Sequence, residues 1–221
     1  MDHEIELLHT RFITHDVRQY VTTRPEGFSF VPGQGVELAL DREGWREEGR
    51  PFTPTGLRDE PVLEFTIKSY PAHDGVTEQL HGLEPGARLL MSEPFGTIRW
   101  RGPGVFLAGG AGVTPFLAIL RDRERAGELG DTELYFSNST PADVICEKEL
   151  RHMLGKRCHL SCTSESAPGY DDRRFDRAFL EAEISDVSRP FYVCGPEGFM
   201  ESVTEALKAM GAEPDGIVIE E

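Results

Sequence analysis

The chain has 221 residues, which is enough for one or two globular domains. Hydrophobic residues make up 38% of it, and 23 glycines bring the apolar share to roughly 48%, which excludes a disordered chain. Acidic residues outnumber basic ones 39 to 23, and the resulting net charge of −16 excludes nucleic acid and anionic membrane surfaces as main partners.

The first part of the chain, up to residue 102, has the alternation of apolar and polar residues that is typical of antiparallel strands. The alternating apolar residues are Val36, Leu38 and Leu40 in one segment and Leu63, Phe65 and Ile67 in another. A period of two places such residues on one buried face of a strand. Proline and glycine turns separate the segments, and a short helix is predicted at 77–81. We therefore predict an antiparallel, six-stranded β-barrel.

From residue 103 onward, apolar strands alternate with amphipathic helices. The predicted strands are 105–108, 133–137, 158–163, 191–194 and 217–219. The predicted helices are 115–125, 147–154, 176–183 and a last one in which Phe199, Val203, Leu207 and Met210 share a face before Gly211 ends it. This order indicates a doubly wound, five-stranded parallel sheet, so we predict a β + α/β chain with domains 1–102 and 103–221.

Two strand ends in the second domain carry glycine-rich sequences, at the edge of the sheet where ligands bind in this architecture. The first contains Gly110, Gly112, Thr114 and Pro115, and the second begins Cys194-Gly195-Pro196. Glycines let the backbone approach a pyrophosphate, and the helix that follows directs free N–H groups at it. One glycine turn needs no ligand, but two in one sheet favour a nucleotide site.

Two further motifs lie in the first domain. Arg50-Pro51-Phe52-Thr53 sets an arginine, an aromatic ring and a hydroxyl along an extended segment. There Arg50 can bind a phosphate, Phe52 can stack on a planar ring and Thr53 can hydrogen-bond a ring nitrogen. Gly75-Val76-Thr77 opens the short helix and can offer backbone donors to another phosphate.

Together and in this order, the four motifs resemble those of the ferredoxin–NADP reductase superfamily, in its flavodoxin-reductase-like branch. That family pairs a flavin-binding barrel with a nicotinamide-nucleotide domain. Its flavin motif is Arg-x-Tyr followed by Ser or Thr, and here Phe52 replaces the tyrosine. Its pyrophosphate motif is similar to Gly75-Val76-Thr77, and its Cys-Gly-Pro signature to Cys194-Gly195-Pro196. The resemblance covers nearly the whole chain.

The resemblance implies that domain 1–102 binds FAD. Arg50 is then expected to hold the FAD phosphates, Phe52 to pack on the flavin beside Pro51, and Thr53 to hydrogen-bond the N5 region. Ile67, Lys68 and Tyr70 lie on the next strand, where the family contacts the ribityl chain and pyrophosphate. Gly75, Val76 and Thr77 are expected at the pyrophosphate itself.

The resemblance also implies that domain 103–221 binds NADH or NADPH. Thr114 is expected where the nucleotide loop meets the flavin, and Cys194 beside the nicotinamide. The loops with Asn138 and Ser164 follow the second and third strands, where relatives that use NADP often have bases. Neither loop contains a basic residue, which favours NADH over NADPH. Arg173 and Arg174 lie a little further along the chain, and Arg174 is expected to bind the cofactor.

The function implied is hydride transfer from NAD(P)H to flavin N5, with Thr53 and Cys194 as the catalytic residues. Electrons then pass to a ferredoxin or flavodoxin, or to a small-molecule acceptor. An NAD(P)H-dependent free-flavin or ferric reductase is an alternative, and a non-catalytic flavin-binding subunit is another. The barrel half contains six arginines that can form a docking patch for the acceptor: Arg18, Arg42, Arg46, Arg58, Arg99 and Arg101.

Two departures from the family affect these expectations. The chain ends Ile219-Glu220-Glu221, where many relatives have an aromatic residue over the flavin. Its length and four cysteines without Cys-x-x-Cys spacing leave no cysteine-rich iron–sulfur domain, so we expect a separate acceptor and no metal. The acidic N-terminal sequence and reduced thiols predict a cytoplasmic protein, which we expect to be a monomer.

Overall fold

The computed structural model describes residues 1–70, 75–96 and 98–219. Its first half contains one short helix between the fifth and sixth of its strands. The strands are β1 (His3–Phe12), β2 (Val17–Thr23), β3 (Val36–Leu40), β4 (Arg50–Phe52), β5 (Val62–Lys68) and β6 (Arg88–Met91), and the helix is α1 (Val76–His81).

The six strands form an antiparallel sheet in the order β4-β3-β6-β1-β2-β5. Just beyond β4, Pro54 bridges to Phe65 of β5, and the Thr55 N–H donates to the Glu64 carbonyl at 2.7 Å. These contacts join the two edges, so the sheet is a nearly closed barrel, as the sequence predicts. All six alternating apolar residues singled out above are buried in one core inside it.

The second half alternates strands and helices. They are β7 (Val105–Gly109), α2 (Thr114–Ala126), β8 (Glu133–Asn138), α3 (Glu147–Leu154), β9 (Cys158–Cys162), α4 (Arg177–Glu183), β10 (Phe191–Cys194), α5 (Glu197–Ala209) and β11 (Ile217–Ile219). The parallel order β11-β10-β7-β8-β9 confirms the doubly wound sheet, and the predicted bounds agree to within one residue.

Local chemistry explains where two of these helices start and stop. The Asp176 carboxylate accepts a hydrogen bond from the Phe179 N–H at 2.9 Å, which caps the start of α4. Gly211 follows α5 with a φ of +96°, a left-handed conformation that glycine adopts without steric cost. The helix therefore ends where the sequence predicts.

The barrel and the α/β half pack on each other through shared apolar residues. Val17 of β2 and Ile98 lie in the same buried cluster as Phe116 and Leu120 of α2. The division of the chain into domains at 102/103 stays a prediction. No helix in the described parts of the chain is both long enough and apolar enough to cross a membrane.

Candidate functional site

A cavity of about 790 Å³ lies between the barrel and the parallel sheet, and both halves line it. The barrel half contributes Pro51, Phe52, Thr53, Thr66, Ile67, Lys68, Tyr70 and Thr77. The other half contributes Gly109, Gly110, Ala111, Gly112, Thr114, Pro115, Ser137, Asn138, Ser139, Asp143, Thr163, Cys194, Gly195, Pro196 and Phe199. The lining lies at the carboxyl ends of β7, β8 and β10, which is where the sequence places a nucleotide site.

The arginine–aromatic–hydroxyl motif is split by the structure. Phe52 and Thr53 line the cavity, with Thr53 buried. Arg50 is exposed and does not line it, because its guanidinium donates to the Gly49 carbonyl at 2.8 Å and lies 3.6 Å from the Glu48 carboxylate. The structure thus brings Phe52 and Thr53 to the cavity, while Arg50, the residue predicted to bind a phosphate, pairs with residues outside it.

Lys68 and Asp143 are the charged residues among the described lining. The Lys68 ammonium lies 3.0 Å from the Asp16 carboxylate in the turn between β1 and β2. Burial opposes ionisation of Asp16, but hydrogen bonds from Lys68 and Thr14 and the charge of Lys68 outweigh it and lower the pKa of Asp16. The ion pair with Asp16 therefore fixes the Lys68 side chain at the cavity wall.

Only part of the Gly75-Val76-Thr77 motif reaches the cavity. Gly75 precedes the first turn of α1, Val76 is buried in the barrel core, and Thr77 lines the cavity. The four residues before Gly75 lie outside the described residues. Thr77 is thus the residue of this motif that a cavity ligand can contact directly.

The segments that follow β7 and β10 pack so closely that glycine is needed at two positions. A Cβ at Gly112 would collide with the carbonyl of Cys194, and one at Gly195 would lie 2.8 Å from the Phe199 ring. A Cβ at Gly110, by contrast, meets no atom within 4 Å. The sequence interpretation assigned these glycines to a pyrophosphate, but Gly112 and Gly195 are needed first to pack the ends of β7 and β10 together.

Thr114 and Cys194 stand at the junction of these loops. The Thr114 hydroxyl donates to the Ala111 carbonyl at 3.0 Å and so closes the turn that precedes α2. Cys194 is the buried last residue of β10. Both line the cavity from the α/β half of the chain, and their contacts with a flavin and a nicotinamide stay predictions.

The end of β8 places an unsatisfied amide in the cavity wall. Asn138 is 6% exposed, and neither its side-chain nitrogen nor its side-chain oxygen has a hydrogen-bond partner among the described residues. Leaving a buried polar group unpaired costs about 1–3 kcal/mol. This amide therefore fits a site that a polar ligand completes.

The two remaining nucleotide-site candidates do not line the cavity. Ser164 is exposed, and its N–H donates to the Ser139 carbonyl at 2.9 Å. Arg174 is exposed on the segment after β9. Its neighbour Arg173 pairs with Asp171 and, at 2.8 Å, with Glu183.

Sequence reasoning missed several lining residues: Thr66, Ser137, Ser139, Asp143, Thr163 and Phe199. Asp143 carries a signal in the sequence, because it follows Thr140 at the spacing of a capping box. Its carboxylate accepts hydrogen bonds from the N–H and the hydroxyl of Thr140, both at 2.8 Å. The apolar pattern predicts that Phe199 lies on the packed face of its helix. In the structure its side chain also lines the cavity.

Comparison with known proteins identifies a domain in the second half of the chain and the fold of the whole. Residues 106–205 match the oxidoreductase NAD-binding domain. The fold matches that of a ferredoxin NADP+ reductase from Neisseria gonorrhoeae, solved with bound FAD and NADP, with a TM-score of 0.86, 20% identity and coverage of 99% of this chain and 97% of that one. The chain therefore has the fold of this reductase and contains an oxidoreductase NAD-binding domain.

Two relatives align with most of the chain. The glycine betaine monooxygenase reductase subunit of Chromohalobacter salexigens is 31% identical over 216 residues, which cover 90% of this chain and 58% of the relative. The ferredoxin–NAD(P)+ reductase component of the naphthalene 1,2-dioxygenase system of Pseudomonas putida is 26% identical over 214 residues, which cover 92% and 64%. The chain therefore spans less than two thirds of the length of either relative.

Proposed function

We propose that this chain is an FAD-dependent oxidoreductase that takes a hydride from NAD(P)H and passes electrons to a ferredoxin or flavodoxin. The observation that carries the proposal is the shared cavity, in which Phe52 and Thr53 form one wall and Thr114 and Cys194 form another. Direct hydride transfer needs both rings in one enclosed space at a fixed orientation. Bound FAD would accept the hydride and release its electrons singly.

Several barrel residues would hold the FAD. Phe52 and Pro51 would pack on the flavin ring, and the Thr53 hydroxyl would serve the N5 region as donor. Lys68, with Ile67 and Tyr70 beside it, would face the phosphate-bearing part of the cofactor, and Thr77 at the first turn of α1 would lie at the pyrophosphate. Arg50 would give up its contacts with Gly49 and Glu48 and bind a phosphate of the cofactor instead.

Residues of the parallel sheet would hold the nucleotide. The turn with Gly110 and Gly112 and the start of α2 at Thr114 and Pro115 would offer backbone N–H groups to its phosphates. Asn138 would supply its unpaired amide. Cys194-Gly195-Pro196 would border the nicotinamide, with Ser164 and Arg174 further out.

We propose NADH as the preferred donor. A 2′-phosphate needs cationic partners, because a dianion without them is costly to desolvate. The lining from β8 and β9 holds no base and one acid, Asp143. Arg173 is already paired with two carboxylates, which supports the same preference.

The proposal is tested by steady-state reduction of a one-electron dye with each donor at one ionic strength, after incubation with FAD. We expect turnover with both donors and a higher kcat/KM for NADH. No turnover with either donor would contradict the function itself. A preference for NADPH that is lost in an Arg173→Ala, Arg174→Ala double variant would contradict the choice of donor alone.

We propose a ferredoxin or flavodoxin as the electron acceptor because a flavin can release its electrons singly and because the relatives are reductase components. Arg18 is buried and donates to the His81 carbonyl, so this arginine is poorly placed for a docking patch. Reduction of a ferredoxin or flavodoxin compared with free FMN distinguishes a carrier reductase from a free-flavin reductase. A monomeric state and a cytoplasmic location are part of the proposal.

A further inference from the structure

Arg121 of α2 ties the two halves of the chain together. Its Nη1 donates to the Thr55 carbonyl and to the Glu64 carboxylate, both at 2.6 Å, and these acceptors belong to the barrel half. Its Nε and Nη2 donate to the two carboxylate oxygens of Glu149 on α3, at 2.6 and 2.8 Å. One side chain, 15% exposed, therefore joins barrel, α2 and α3.

The barrel end of this network reaches one wall of the cavity. The Thr55 hydroxyl donates to the Glu64 carboxylate at 3.0 Å and lies 3.1 Å from the Thr66 hydroxyl. Thr66 lines the cavity, and so does Thr53, which comes two residues before Thr55. A shift of Thr55 is thus transmitted to the wall that carries Thr53.

The helix end of the network reaches the opposite wall. Thr114 is the first residue of α2 and lines the cavity. Seven residues are about two helical turns, so Thr114 and Arg121 lie on the same side of α2. The anchoring of Arg121 therefore sets how the start of α2 faces Thr53.

The charges in this network support one another. Burial opposes the charge of Arg121, but hydrogen bonds with Glu149 and the charge of Glu64 outweigh it and raise the pKa of the guanidinium. Burial also opposes ionisation of Glu149, and the hydrogen bond from Arg121 lowers the pKa of that carboxyl. The cluster is a charge-assisted, bidentate clamp, which fixes geometry more strictly than a surface ion pair.

We propose that Arg121 is a positioning residue for hydride transfer, which holds the wall bearing Thr53 and the wall bearing Thr114 at the separation that the reaction requires. This inference rests on the proposed function. Arg121 touches neither wall directly and acts through Thr55, Glu64 and its own helix. Loss of the clamp therefore changes how the reacting rings are aligned more than whether they bind.

Arg125 provides a matched control. It lies one turn further along α2 and also pairs with the barrel half, at 2.6 Å from the Asp59 carboxylate. The side chains of Arg125 and Asp59 are both more than half exposed. Exposed ion pairs of this kind contribute little to stability. Arg121→Gln removes the clamp, Arg121→Lys keeps the buried charge but not the fork that reaches all acceptors, and Arg125→Gln removes only the exposed pair.

The experiment measures stopped-flow flavin reduction over a range of NADH concentrations. We expect the saturating rate of both Arg121 variants to fall about tenfold or more, with the nucleotide Kd changed less than about threefold, because a small misplacement mainly affects the reacting geometry. Arg125→Gln should stay within about twofold of the wild type in both quantities. Arg121→Lys keeps the test available if Arg121→Gln does not fold. Wild-type saturating rates in either folded Arg121 variant would overturn the proposal.

Hydrogen–deuterium exchange without cofactor gives an independent readout. We expect the amides of 53–55 and 110–116 to exchange faster in the Arg121 variants and not in Arg125→Gln. Unchanged exchange at both walls would also overturn the clamp. If the wild type itself is not reduced by NADH or NADPH, the proposed function fails, and the exchange data still report on Arg121.

Discussion

At the scale of single residues, the hydroxyl of Thr53 is the group most directly tied to the proposed chemistry. It is buried at the cavity wall beside Phe52, and the neighbouring Thr66 hydroxyl is engaged with Thr55. A preorganised donor stabilises charge that develops as the hydride arrives. The proposed function therefore gives Thr53 a role in rate that is separate from binding.

We expect Thr53→Ala to retain FAD and to slow flavin reduction about tenfold or more, since loss of one such donor typically has an effect of this order or larger. Thr53→Ser keeps the hydroxyl and should reduce at close to the wild-type rate. Stopped-flow reduction measures both variants. A wild-type rate in Thr53→Ala would leave Thr53 with a packing role only.

Sequence reasoning found side chains that follow a motif and missed those that tertiary packing brings in. Phe52, Thr53 and Cys194 stand within recognisable motifs and do line the cavity. Thr66 of β5 and Thr163, just after β9, carry no motif, because ordinary residues of a strand or loop become lining only when another element packs opposite them. Arg50 shows the converse, since its motif is readable but its side chain pairs locally with Glu48.

At the scale of elements, the contact between the ends of β7 and β10 organises the site. These strands are neighbours in the parallel sheet, with Cys194 in register with Ala108. The turn after β7 then passes over the Cys194 carbonyl, a path that a side chain at position 112 would block. Glycine at this position therefore serves packing even before a ligand binds.

We expect Gly112→Ala to lower the free energy of unfolding by about 1–3 kcal/mol, the usual cost of forcing an extra carbon into a packed site. Gly198→Ala is the control, because a Cβ there meets no atom within 4 Å and the residue lies in α5. Alanine at that helical position should be neutral or slightly stabilising. Urea unfolding measures both, and equal stability of Gly112→Ala and the wild type would contradict the packing account.

Element positions were predictable because each half repeats one period of hydrophobicity. The alternation around Val36 and Leu63 and the amphipathic face of α5 are local signals, and they predict strands and a helix without any tertiary contact. The order of strands in each sheet and the Arg121 clamp depend on residues far apart in the chain. No local pattern encodes them, so they could be described only from the structure.

At the scale of the whole molecule, the two halves matter because the cavity belongs to both. Val17 and Ile98 extend the α/β core across the junction, and Arg121 adds a polar anchor beside it. The barrel wall and the nucleotide loops are thereby held on opposite sides of one space. We propose that this space lets a nicotinamide reduce a flavin.

The most direct test of that claim is an anaerobic titration of the purified protein with NADH and NADPH, followed by its visible spectrum. We expect a yellow protein whose chromophore, released by denaturation and identified by chromatography, is FAD, and whose visible band bleaches on addition of stoichiometric NADH. A colourless protein that cannot be reconstituted with FAD, or a bound FAD that neither nucleotide bleaches, would contradict the account.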